Sequence, residues 1–359
     1  MDKPESGDIN GFLEKQRPAI DIILEKYLPR RLDAAALEQI FGRPRYAYDQ
    51  KALTEAISMP IWDFLDRGGK RIRPALFLMV AEALGADMER VKDFAAVIEL
   101  AHEGSIIADD LEDNGEIRRG KPCMHKLFGD DIAINASSFM YFLPALVFMK
   151  HRRDFDGSTL LNAWETFAQE MINIHGGQGM DIFWHKGSQN VIGENEYMQM
   201  CAYKTGCLTR MAVKMAAVLS GTGAKDVERL GRFGEMIGVG FQIQDDVLSA
   251  SGSEFQCKKG YGDDITEGKR TLIVIHALKH ASEKDRKRLL EILNAHTRDK
   301  PPIREALGLL AKYGSVRYAK EKAKALVRQA WKEADAVLPE SGAKMRLKAL
   351  ADFIIERKI

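Results

Sequence analysis

An all-α fold follows from three features of the 359-residue sequence. Apolar residues recur at the three-to-four spacing of helices in nearly every segment from about Ile9 onward. Alternating strand patterns are scarce, and no internal repeat of roughly 20 to 50 residues is evident. Proline is sparse, with 11 in the chain, which leaves long stretches able to remain helical.

The elements follow in order. Ile20, Ile23, Leu24, Tyr27 and Leu28 form an apolar stripe within a helical extension over residues 1–50, with a break at Gly42-Arg43-Pro44. Beyond the Gly68-Gly69 break, Leu76, Leu78, Met79, Ala83 and Leu84 mark the next stripe. Val97, Ile98, Leu100 and Ala101 mark another, which runs straight into an acidic cluster. After Gly120-Lys121-Pro122, helical periodicity covers 211–219, 233–247, 272–281, 303–313 and 318–337. Further breaks fall at Ser251-Gly252-Ser253, Lys300-Pro301-Pro302 and Pro339-Glu340-Ser341-Gly342. None is long enough for an interdomain linker, so residues 51–359 are expected to form a single all-α domain.

At 45% hydrophobic residues the chain can bury a substantial core. Lys plus Arg (53) nearly cancel Asp plus Glu (52), which argues against a nucleic-acid partner. Cys123, Cys201, Cys207 and Cys257 form no C-x-x-C pair and read as ordinary thiols of a cytoplasmic chain. The first residues, Met1 to Asp8, are too polar for a secretory signal. The longest apolar run, 139–149, contains Pro144 and is too short for a transmembrane segment.

Two acidic clusters carry the chemistry. Asp109, Asp110 and Asp113 are followed by Arg118 and Arg119, and Asp245 with Asp246 by Lys259 and Lys269. Asp109 and Asp113 are four apart and share a helical face, a costly placement of like charge without a cation. Carboxylate oxygens bind Mg²⁺, which readily completes its shell with substrate phosphates, and trailing cations neutralise the remaining phosphate charge. Two such clusters point to a diphosphate held between them. A calcium loop starting at Asp110 fails because Lys121 stands where a bidentate Glu is needed. His102 lies two helical turns before Asp109 and faces the same way. Gln242 precedes Asp245 by three, so its amide is expected to face whatever the metal holds. Lys70 and Arg73 in Gly68-Gly69-Lys70-Arg71-Ile72-Arg73-Pro74 form a further basic site, and Lys204-Thr205 adds a cation and a hydroxyl. Gln178 and Asp181 share a helical face amid apolar neighbours.

These motifs, in this order from about Asp63 to Lys269, resemble the trans-prenyl diphosphate synthases. Gly68 to Pro74 is similar to that family's G-G-K-R-x-R-P. Asp109-Asp110-Leu111-Glu112-Asp113 through Arg118-Arg119-Gly120 resembles its first aspartate-rich motif, and Gly240 to Asp246 its second. Asp109 to Asn114, Ile134-Asn135, Tyr141-Phe142 and Gln178 to Trp184 resemble the geranylgeranyl diphosphate synthase branch of eukaryotic type. The resemblance implies the isoprenoid synthase helical bundle around a central apolar cavity, in a homodimer. It implies that Asp109, Asp113 and Asp245 ligate Mg²⁺, with more than one ion per active site and Asp110 and Asp246 in support. Arg118, Lys204, Thr205, Gln242, Lys259 and Lys269 would hold an allylic diphosphate. Lys70, Arg73, His102 and Arg119 would hold isopentenyl diphosphate. Two positions depart from the pattern: Ser249 replaces a third Asp, and Ala108 a common His.

Ala101, Gly104 and Ser105 lie eight, five and four residues before Asp109. Their small side chains leave no bulky floor below the metal site, so products of C20 or longer are expected. The rival readings are a terpene cyclase of the same fold, which has no use for Lys70, Arg73 and His102, and a non-catalytic regulatory subunit, which could shed its metal ligands.

Overall fold

The computed structural model describes residues 9–187, 189, 191–250 and 262–356. Lys259 and the Ser251-Gly252-Ser253 break lie outside the described residues. Helices carry almost all the regular structure, as the periodicity predicts. The one sheet among the described residues is a short antiparallel hairpin pairing Ile117 with Pro122 and Arg118 with Lys121.

The chain divides into two compact units, the first comprising Met1–Thr166, Met215–Ala224 and Glu340–Arg346. Its central element is the Ala95–Glu112 helix, in which Val97, Ile98, Leu100 and Ala101 are fully buried. The Asp130–Phe142 helix packs closely along it, and Ser137 Oγ donates to the Gly104 carbonyl at 3.0 Å. The N-terminal Ile9–Tyr27 helix is part of this core: Ile20 and Leu24 are fully buried, and the Tyr27 hydroxyl donates to Asp93 at 2.6 Å. Contrary to the sequence reading, Asp130–Lys150 is long and apolar enough to cross a membrane. The turn at Leu143-Pro144 interrupts it, however, and Ala136, Ser137 and Met140 are buried.

The second unit comprises Phe167–Lys214, Lys225–Pro339 and Leu347–Ile359. Its helices Glu194–Cys201 and Cys207–Leu219 are joined by a π-helical turn, Ala202–Gly206. Glycine permits three close approaches. A Cβ on Gly177 would sit 2.2 Å from the Lys204 amide nitrogen, one on Gly238 2.2 Å from Thr209 Oγ1, and one on Gly234 2.7 Å from the Thr209 carbonyl. Any larger residue at these points would force the backbones apart. Lys300-Pro301-Pro302, expected as a break, is instead the first turn of the Lys300–Lys312 helix, where proline's missing N–H costs nothing. Cys123, Cys201 and Cys207 are buried free thiols.

Candidate active site

In the first unit, Asp109 and Asp110 occupy the last turn of the Ala95–Glu112 helix, and Asp113 caps it. The Asp113 N–H donates to the Asp109 carbonyl at 2.9 Å, which sets the two residues one turn apart. This is the negative pole of the helix dipole, so carboxylates here cost stability unless cations compensate. Asp110 is buried, and Arg118 Nε donates to its Oδ1 at 2.8 Å, with a second bond from Nη2. Burial raises the Asp110 pKa and Arg118 pulls it back. The Ile117–Arg118 and Lys121–Pro122 hairpin supplies Arg118 and, at its turn, Arg119 with φ 53°. Asp109 and Asp113 are only half-buried. The motif thus separates a buried carboxylate bonded to Arg118 from two half-buried ones, of which Asp109 lies 3.8 Å from the same guanidinium.

Two helical residues, Arg73 and His102, and two turn residues, Lys70 and Arg119, carry the neighbouring basic site. Arg73 Nη1 lies 2.9 Å from His102 Nε2. Burial, then Arg73, Arg119, Arg71 and Arg118, hold the His102 pKa well below its usual value, so the ring is neutral. Arg119 Nη2 donates to Glu103 Oε1 at 2.9 Å, and Lys70 Nζ to Asn10 Oδ1 at 3.2 Å. The residue that organises the cluster is Arg71, which the sequence reading passed over. It is 3% exposed, adopts φ 48°, and donates from Nη1 to Glu99 and Glu103 at 2.7 Å each, from Nη2 to the Leu65 carbonyl and from Nε to Asp21. Glu99 and Glu103 were also missed. Their signal was available: acidic side chains inside an otherwise apolar helix require a buried cation. Burial pushes the Glu99 pKa up to about 7 against the pull of Arg71.

In the second unit, Lys204 and Thr205 sit on the π-helical turn. Lys204 Nζ donates to Asp181 Oδ2 at 2.5 Å. Thr205 Oγ1 donates to Gln242 Oε1 at 2.8 Å, and Gln242 Nε2 to Asp246 Oδ1 at 2.9 Å. The amide expected to face the ligand therefore orients a neighbouring carboxylate. Tyr197, unforeseen, donates its hydroxyl to Asp246 Oδ2 at 2.7 Å. Asp246 is buried and its pKa is pushed up to about 7, chiefly by burial and then by Asp264. Asp245 beside it is half-buried. Ser249, where the family pattern has a third Asp, lines a small cavity with Asp246 and Asp264. Lys269 pairs with Glu267.

Among the described residues no three His, Cys, Asp or Glu side chains converge as a ready-made metal site. Half-buried pairs of carboxylate oxygens nevertheless fit a hard divalent cation that takes its remaining ligands from water and phosphate. Of the residues expected to set product length, Ala101 is fully buried and Ser105 half-buried. Gly104 faces the Asp130–Phe142 helix, where a Cβ would meet Met140 Cβ at 3.1 Å and Tyr141 Cε1 at 3.2 Å. Its smallness therefore serves helix packing.

A family model described as polyprenyl synthetase matches residues 54–310. The chain is 38% identical over 291 residues to a short chain isoprenyl diphosphate synthase of Methanothermobacter thermautotrophicus, covering 81% of this chain and 87% of that one. It is 35% identical to a geranylgeranyl pyrophosphate synthase of Geoglobus acetivorans, covering 82% and 88%. A crystal structure of geranylgeranyl pyrophosphate synthetase from Pyrococcus horikoshii is similar at TM-score 0.83 and 32% identity, covering 98% of both chains.

Proposed function

The chain belongs to the polyprenyl synthetase family, and on that premise we propose that it is a prenyltransferase condensing isopentenyl diphosphate with an allylic diphosphate to give a C20 product. The fold is the all-α isoprenoid synthase fold. The observation that carries the reading is the same division of labour in both acidic motifs. One aspartate, Asp110 or Asp246, is buried and tied to protein donors, while its neighbour, Asp109 or Asp245, is half-buried at the helix surface. Asp109 with Asp113 in the first unit, and Asp245 in the second, are each proposed to hold Mg²⁺. Bound there, Mg²⁺ would stabilise the charge of the departing diphosphate.

The chain's own residues supply the rest. Arg118, Lys204 and Lys269 neutralise the allylic diphosphate once they exchange protein carboxylates for phosphate oxygens. Thr205 and Gln242 fix Asp246. Lys70, Arg73, Arg119 and neutral His102 bind isopentenyl diphosphate, whose alkene attacks the allylic cation. Glu99, Glu103 and Asp110 are bonded to arginines, and the family resemblance assigns proton removal to the departing diphosphate.

Residues 51–359 are proposed as the synthase domain and residues 1–50 as a helical extension, in a cytoplasmic homodimer. Exposed Ile134, Phe142 and Met149 in the first unit support an assembly that covers them. The retained basic site at Lys70, Arg73 and His102 argues against a cyclase, and both intact acidic motifs against a non-catalytic subunit. Incubating the purified chain with Mg²⁺ and both substrates tests the reading. Elongated diphosphate supports it, while cyclised hydrocarbon or no turnover rejects it.

A further inference from the structure

Two contacts tie the N-terminal helix to the Gly68-Gly69-Lys70-Arg71 turn of the first unit. Asn10 Oδ1 accepts from Lys70 Nζ at 3.2 Å. The Arg17 guanidinium lies 3.5 Å from where a Cβ on Gly68 would stand. Gly68, at φ 97°, thus makes the turn and leaves room for that cation. Gly69, at φ 132°, does the same for Arg119, whose guanidinium lies 3.2 Å from the corresponding Cβ position. Two guanidinium groups from distant parts of the chain therefore flank one bare stretch of backbone.

The carboxylates nearby are already shared. Asp21 accepts from Arg71 Nε at 3.1 Å and pairs with Arg17 Nε at 3.5 Å. Glu103 accepts from both Arg71 and Arg119. Five cations, the arginines 17, 71, 73 and 119 with Lys70, meet three carboxylates, Asp21, Glu99 and Glu103. With Glu99 shifted towards its protonated form, the local balance is an excess of at least two positive charges, and neutral His102 does not alter it. Such an excess around a glycine turn suits a diphosphate, and a guanidinium can offer paired N–H donors to phosphate oxygens.

We propose that Arg17 is a further binding residue for isopentenyl diphosphate, so that the N-terminal helix completes that site. Asp21 holds the guanidinium beside Gly68, and the 39% exposed Arg17 side chain can turn onto the ligand. The inference rests on the assignment of Lys70, Arg73 and Arg119 to the same substrate.

The test is steady-state kinetics of the full chain and its Arg17→Ala and Arg17→Lys variants, varying each substrate in turn. Loss of one charge-assisted contact is expected to raise the KM for isopentenyl diphosphate about tenfold in Arg17→Ala, with Arg17→Lys recovering part of the loss. The allylic KM should stay near wild type. An unchanged KM for isopentenyl diphosphate, or equal rises for both substrates, overturns the proposal and leaves Arg17 a helix-packing residue. An inactive wild-type chain would count against the prenyltransferase reading instead. Calorimetric titration with inorganic pyrophosphate, without divalent metal, then still decides the matter. Weaker binding by Arg17→Ala supports the assignment, and equal binding rejects it.

Discussion

Asp110 and Asp246 are both buried carboxylates in the C-terminal part of a long helix, yet the first is held by a guanidinium and the second by a phenol and an amide. Arg118 offsets the burial of Asp110 with opposite charge. The main influences on Asp246 are burial, Asp264, Tyr197, Gln242 and Asp245, none of them a cation. In the same unit Lys204 pairs with Asp181 and Lys269 with Glu267. Asp110 therefore has its countercharge in a bonded guanidinium, whereas Asp246 is bonded to neutral donors. A buried carboxylate can be kept by charge or by neutral donors, and the choice decides what a mutation leaves behind.

The largest expected effects break both motifs alike. Asp109→Asn and Asp245→Asn should each lower kcat by roughly 10² to 10³ or more, since each removes charge stabilisation in the transition state. Circular dichroism should show unchanged helix content, and the Asp109 variant should melt no lower than wild type, because like charge at a helix C-terminus is relieved. Near-normal turnover in Mg²⁺ for either variant would end the two-motif reading.

Next comes the contrast itself. Arg118→Gln strands the buried Asp110 carboxylate and should cost about 3–5 kcal/mol of stability. Tyr197→Phe removes one neutral donor from Asp246 and should cost about 1–3 kcal/mol. Denaturant unfolding of the two variants measures the difference, and equal losses would mean that the partner's charge is unimportant.

Substrate kinetics sharpen the comparison further. Lys70→Ala and Arg73→Ala should raise the KM for isopentenyl diphosphate by about tenfold, and Lys204→Ala the KM for the allylic substrate by a similar factor. Identical shifts for both substrates in all three variants would contradict the separation.

The smallest effect concerns a third buried carboxylate. Glu99 has a raised pKa of about 7 against an ordinary 4.5, so the folded chain favours its protonated form. Its stabilising contribution is present below pH 4.5 and is lost as pH rises through 7. Glu99→Gln should therefore gain stability relative to wild type as pH rises across that window. A pH-independent difference between the two unfolding curves would show that Arg71 keeps Glu99 ionised throughout.

Much of this was legible in the sequence, and the remainder was hidden for identifiable reasons. The helices over 211–219, 233–247 and 318–337 were readable because one face of each is apolar; the first two lie inside Cys207–Leu219 and Ala224–Ala250, and the third overruns Ser315–Asp335 by two residues. The aspartates and cations were readable because their spacing follows the helical turn. Arg71 was not, because it lies between two basic residues of one motif and only the fold shows that it points inward. Tyr197 was hidden because its partner Asp246 is 49 residues away. Gly104 is ambiguous in sequence: a small residue at helical spacing looks the same whether it opens a pocket or lets the Asp130–Phe142 helix approach, and the structure shows the close approach. The product-length question therefore passes to Ser105, which is half-buried on the same helix.

The most direct measurement is the chain length of the product made by the purified protein with Mg²⁺, isopentenyl diphosphate and a C5, C10 or C15 allylic diphosphate. The expected result is C20 diphosphate from each primer, shortened by one or more C5 units in Ser105→Phe while the first condensation survives. No incorporation of isopentenyl diphosphate with any primer, or release of a cyclised hydrocarbon, would contradict the assignment of this chain as a trans-prenyl elongating enzyme.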